Sequence, residues 1–172
     1  GDRDREAPEA TITDAPNDAR VVSVGYLALT PEAERLPDAF EARWRGWYRH
    51  FPWEDHRRGR PGMLDAAISP KLLTWAAGNS DRLSRAENAF GLNGKDWPDE
   101  AVLERYELLY EAGLVEECAR DRGLPLPEPQ LGEPMASDHR RILATAMSRL
   151  RAKIRYRPVA FELMPDRFTL TA

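Results

Sequence analysis

Between positions 43 and 53 the chain interleaves three arginines with five aromatic residues: Arg43, Trp44, Arg45, Trp47, Tyr48, Arg49, Phe51 and Trp53. Planar rings pair with the faces of bases, and a guanidinium pairs bidentately with phosphate. The run therefore holds the residue types needed to grip a nucleotide. Packing in a hydrophobic core is the plainer use of the same rings. Arg45, Trp47, Tyr48, Arg49 and Trp53 are the candidate ligand contacts.

Two further groups have chemical potential. Glu104, Glu107 and Glu111 recur at helical spacing, the arrangement in which carboxylates gather Mg²⁺ against a pyrophosphate. The bland alternative is a solvated helix face, and that is the expectation here. Residues 137–172 carry eight Lys/Arg against three acids, a net +5, which leaves −9 of the chain's −4 on residues 1–136. A basic end on an acidic body fits contact with phosphate, and equally fits a solvated basic helix. His50, His56 and His139 are scattered; His139 beside Asp138 is expected to be hydrogen-bonded or solvated rather than a metal ligand. A single cysteine, Cys118, excludes an internal disulfide framework and a Cys-rich zinc site. No G-x-S-x-G, P-loop or H-E-x-x-H is present.

The elements that must position these residues can be read in outline. The 172 residues suffice for one ordinary domain, or for one domain and part of a second, and no run of about 18 apolar residues is present to span a membrane. Residues 1–19 are polar and Pro/Ala-rich, without an apolar signal region, and read as a flexible segment; a cytoplasmic location is the default. Arg20–Thr30 alternates β-branched residues and predicts a strand buried on both faces. Residues 63–77 predict a helix interrupted or restarted at Pro70. Ser80–Leu92 predicts a second, capped by Ser80 or Asp81. Trp97–Arg120 predicts a third, with Val102, Leu103, Tyr106, Leu109, Tyr110 and Gly113 on one stripe. After a Pro-rich connection, a helix over 138–155 follows, its apolar face Ile142, Leu143, Ala146, Met147, Leu150 and Ile154. Arg140, Arg141, Ser148, Arg151 and Arg155 lie opposite. Tyr156–Leu163 predicts a short strand, and Thr169 or Thr171 the cap of a further helix, so the chain reads as a piece of something longer.

RVVSVGYLAL resembles a sheet strand in the second half of a Nudix domain, and DHRRILATAMSRLRAKIRY resembles the last Nudix helix of one subgroup. RPVAFELMPDRFTLT resembles the bridge from that helix into a winged helix-turn-helix. FPWEDHRRGRP and VLERYELLYEAGLVEE look like the "NAD regulator" branch of the Nudix-related transcriptional regulators of NAD metabolism. The resemblance covers about residues 20–171. It implies an α+β, mostly helical fold: a partial Nudix-like sensor over 20–155 with a helical insertion over about 63–122, and the start of a winged helix over 156–172. It implies the ligand-sensing part of a repressor of NAD-biosynthesis genes, working as a homodimer. The effector would be ADP-ribose, NAD or ATP, with Mg²⁺ only as the nucleotide's companion. Operator DNA would be bound mainly by residues beyond 172; Arg151, Arg155 and Arg157 would be structural or dimer-contact residues first and phosphate contacts second, with Arg167 a further phosphate contact. The alternative is a pyrophosphohydrolase acting on ADP-ribose or a related nucleotide.

The hydrolase signature of that family, G-x5-E-x7-R-E-U-x-E-E-x-G-U, has its best local match ending at Gly113–Leu114. Glu107, Leu108 and Glu111 fit, but Tyr106 fills the arginine slot, Tyr110 a glutamate slot, Pro98 the upstream glutamate and Leu92 the glycine. A packed helix, not a catalytic box, is expected here.

Overall fold

Pro70 lacks the amide hydrogen that a helix interior requires, and its ring crowds the preceding turn. The chain accommodates it by widening: Leu64–Ile68 forms a π-helical turn that runs into α1, Ser69–Ala76, with the proline in its first turn. The structure is a computed structural model that describes residues 24–27 and 45–156. Its remaining helices are α2, Ser80–Phe90; α3, Val102–Glu111; α4, Glu116–Arg122; and α5, Ser137–Tyr156. Two 3-10 turns, Trp47–Arg49 and Pro52–Glu54, precede them. The described residues are thus mostly helical, with one isolated bridge between Arg57 and Gly59 and no strand among them.

Local sequence explains the boundaries. Asn79, not Ser80 or Asp81, caps α2: its side chain accepts from the Arg82 amide at 3.0 Å. The single helix expected over Trp97–Arg120 is two helices. Gly113 takes φ 73°, the left-handed conformation that ends α3, and α4 restarts after Val115. The helix expected over 138–155 is present as α5.

The strand expected over Arg20–Thr30 reaches the described residues only at Val24–Leu27. These carry no strand and are exposed, Tyr26 at 95%. A strand needs a neighbour for its amide and carbonyl groups, and no described residue supplies one. Gly25 instead lies so close to the Ile142 side chain of α5 that a Cβ there would collide with it. Tyr156 is helical rather than the start of the expected strand; Arg157–Leu163, Thr169 and Thr171 lie outside the described residues.

α1 packs on α2, α2 on α3, and α3 on α5. The core between them joins Phe51, Trp53, Leu64, Ile68, Leu72, Phe90, Val102, Tyr106, Leu109, Ala144 and Met147. Phe51 meets Trp53 edge-on with ring centres 5.6 Å apart, and Tyr106 edge-on at 6.3 Å. Truncating a ring in such a position costs about 3–5 kcal/mol. Among the described residues no helix is long and apolar enough to cross a membrane.

Candidate functional site

The segment from Arg45 to Glu54 divides its side chains between core and surface. Phe51 and Trp53 are fully buried, so Trp53 presents no face to an incoming ring. Trp47 and Tyr48 are half-buried at the rim, while the Arg45 and Arg49 side chains are 51% and 58% exposed. Tyr48 is already covered on one face, with the Arg57 guanidinium 4.8 Å from its ring centre; Asp55 holds that guanidinium bidentately at 2.7 and 2.8 Å. Of the five candidate contacts, Arg45, Trp47, Tyr48 and Arg49 therefore share the surface and Trp53 belongs to the core.

Arg45 and Arg49 converge on one carboxylate from far along the chain. Arg49 Nε donates to Glu133 Oε1 at 2.8 Å and Arg45 to Oε2 at 3.3 Å. Hydrogen bonding from Arg49, with the nearby charges of Arg45 and His50, holds the Glu133 carboxyl below the usual carboxylate range. The backbone around Glu133 fixes this meeting. Its amide donates to the Arg49 carbonyl at 2.8 Å, and its carbonyl accepts from His50 Nδ1 at 3.0 Å. Gly132 makes the approach possible: at φ 78°, a Cβ there would stand 2.7 Å from Pro52 Cδ and 2.9 Å from the carbonyls of Arg49 and His50. Leu131–Glu133 is thus a strap laid across Arg49–Pro52.

Behind this surface lie two buried ionic groups that the sequence analysis did not assign. Arg105 donates to both Glu54 oxygens at 2.6 and 2.8 Å, and to the carbonyls of Ala89 and Pro98 at 2.9 and 2.7 Å. Trp97 stacks on its guanidinium at 3.9 Å. Arg151 of α5 donates to Glu54 Oε2 at 2.6 Å and to the Glu54 and Asp99 carbonyls, each at 3.0 Å. In the second group Arg140 donates to both Glu117 oxygens at 2.7 and 2.8 Å, to the Leu131 carbonyl at 2.9 Å, and to the His50 carbonyl. The rings of Phe51, Trp53 and Tyr106 stand 5.3–5.6 Å from the Arg140 guanidinium carbon. Desolvation and Glu117 push the Tyr106 hydroxyl above its ordinary range.

Several expected roles change accordingly. Arg140 does not lie on a solvated face, while Arg151 has a structural place of the kind expected of it: the buried stripe of α5 is Arg140, Ala144 and Met147, extended by the partly covered Arg151. Ile142, Leu143, Leu150 and Ile154 are only half-buried. Glu107 and Glu111 are not simply solvated but pair with Arg141 at 2.7 Å and Arg85 at 2.8 Å; Glu104 is exposed. With two of the three carboxylates held by arginines, and no cluster of three metal-binding side chains among the described residues, this stretch does not fit Mg²⁺. Cys118 is buried. Arg155 lies in the last turn of α5, and Arg157 and Arg167 fall outside the described residues. Comparison of the chain with known protein families and with curated proteins returns no match.

Proposed function

We propose that this chain is the ligand-sensing part of a DNA-binding repressor of NAD-biosynthesis genes, in which an NAD-pathway nucleotide binds at Arg45, Trp47, Tyr48 and Arg49. The partial Nudix-like domain would pass the signal to a winged helix, with Arg155, Arg157 and Arg167 at the phosphate backbone of operator DNA and two chains paired as a homodimer. Beside the sequence resemblance, one observation carries the reading. α5 grips the segment behind the candidate contacts at both of its ends: Arg140 at the His50 carbonyl, and Arg151 at the Glu54 carbonyl and carboxylate. The two arginines are eleven residues apart on one helix, a separation of about 16 Å. A ligand that favours one geometry of Trp47–Glu54 therefore favours one placement of α5, and through it of whatever α5 leads into.

The test is calorimetric titration of the full-length protein with ADP-ribose, NAD and ATP in the presence of Mg²⁺, while chromatography follows the nucleotide. Binding without turnover, weakened about tenfold or more by the double substitution Arg45→Ala/Arg49→Ala, is the expected result. Turnover would place the protein with the pyrophosphohydrolases instead, and absence of binding would overturn the sensor reading.

A further inference from the structure

Two exposed arginines aimed at one carboxylate form a fork, and a fork of this kind does not distinguish a carboxylate from a phosphate by shape. Glu133 occupies it with a single negative charge. The contact lies at the surface: the Glu133 side chain is 40% exposed and both arginine side chains are more open still. Ion pairs so placed hold their partners weakly. A pyrophosphate bridge, with one negative charge on each of its two phosphates, offers the same two arginines more charge and more acceptor oxygens.

Resting on the nucleotide reading above, we propose that Arg45 and Arg49 are a phosphate-binding fork for a pyrophosphate-bearing ligand, and that Glu133 is its built-in competitor, displaced when the ligand binds. Displacement acts where the signal is needed. The strap that carries Glu133 also carries the Leu131 carbonyl, which accepts from Arg140 of α5, and the Glu133 backbone bonds to Arg49 and His50. Occupation of the fork by phosphate frees the Glu133 side chain and loosens the strap that closes on α5. The competitor sets the ligand threshold, and it selects for ligands carrying more than one negative charge at the fork, since a monoanion gains nothing over Glu133.

The experiment titrates the full-length protein with inorganic pyrophosphate and, separately, with ADP-ribose. It uses the wild type, Glu133→Gln, and Glu128→Gln as a control that removes one exposed carboxylate outside the strap, on a residue whose carbonyl accepts from Lys71 of α1. Glu133→Gln is expected to bind pyrophosphate about 3–5-fold more tightly than wild type. Glu128→Gln is expected to match wild type. In the wild type, ¹³C-detected titration of the Glu133 carboxyl is expected to show its lowered apparent pKa returning toward the ordinary value of 4.5 when pyrophosphate is bound. If ADP-ribose binds the wild type but Glu133→Gln binds pyrophosphate no better, the competitor is overturned and the sensor reading stands. Equal tightening by both substitutions would mean a general charge effect and would also overturn it. If no protein binds either ligand, both readings fall. If only Glu133→Gln binds, the competitor is upheld and the wild-type threshold lies above the concentrations used.

Discussion

Arg140 on α5 donates to both carboxylate oxygens of Glu117 on α4, at 2.7 and 2.8 Å, with neither side chain more than 1% exposed. Such a pair holds its geometry, yet removing one member strands the other charge in the interior. Arg140→Ala is expected to lower stability by about 3–5 kcal/mol in urea denaturation. The double replacement Arg140→Met/Glu117→Leu is expected to recover much of that loss, since no charge remains unpaired. A single substitution costing less than about 1 kcal/mol would mean that water reaches the pair.

The three-residue group around Glu54 predicts an ordering. Glu54 is the only acid between Arg105 and Arg151 in this group, so Glu54→Gln leaves two cations facing each other. Its cost is expected at about 3 kcal/mol or more. Arg151→Ala leaves the bidentate Glu54–Arg105 pair intact and removes a side chain that is 21% exposed, so about 1–2 kcal/mol is expected. Denaturation midpoints of the two variants at equal m-value check the order.

His56 predicts a pH window. It stacks on Trp97 with ring centres 4.5 Å apart. Burial, followed by the charges of Arg105, Arg151 and Arg60, lowers its pKa from 6.5, while Glu54 pulls the other way. The unfolded chain therefore takes up a proton more readily. Stability is fully present above pH 6.5 and is lost as the pH falls from there toward the lower folded value. The carboxylates whose pKa values are lowered by their partners, namely Glu133 by Arg49, Glu111 by Arg85, Glu87 by Lys95 and Asp55 by Arg57, lose their contribution only below their reference values of 4.5 and 3.8. His56→Gln is expected to flatten the dependence as the pH falls below 6.5 while leaving the more acidic limb in place, as read from urea midpoints.

Gly132 predicts a steric limit. Gly132→Ala combines a left-handed backbone with a Cβ at 2.7 Å from Pro52 Cδ and 2.9 Å from two carbonyls. About 2–4 kcal/mol of destabilisation is expected, from the conformational cost and from displacement of the strap. Amide hydrogen exchange at Glu133, whose N–H is held by the Arg49 carbonyl, is expected to accelerate more than exchange in α2, which lies away from the strap. Equal acceleration in both would point to global rather than local loosening.

Periodicity located α1, α2 and α5 because their apolar positions recur at helical spacing. It overran between α3 and α4 because Gly113 was assigned to the packed stripe, whereas its left-handed φ ends the helix. The more instructive failure is the face of α5. Arg140 shares a stripe with Ala144 and Met147, but an arginine reads as solvent-facing unless its carboxylate partner is known. That partner, Glu117, lies 23 residues away, and no local pattern encodes the pairing. Arg105 was legible in principle, lying three residues after Val102 and four before Leu109 on a buried stripe. Within the candidate site, the cluster of rings and arginines was visible, but its division was not. Alternation places Phe51 and Trp53 inward, whereas the convergence of Arg45 and Arg49 depends on Glu133, 84 residues beyond Arg49.

The span of the contacts made by α5 carries a consequence for biogenesis. Arg140 reaches back 90 residues to His50 and Arg151 reaches back 97 to Glu54, long separations for a helical chain. Synthesis at about 5–20 residues per second takes about 5–20 s to cover the 97-residue interval. Throughout that delay Phe51 and Trp53 await the helix that covers them, and Glu54 waits 51 residues for Arg105. Slowed translation between those positions is expected to lower the soluble yield, and a chaperone that shields aromatic segments to restore it.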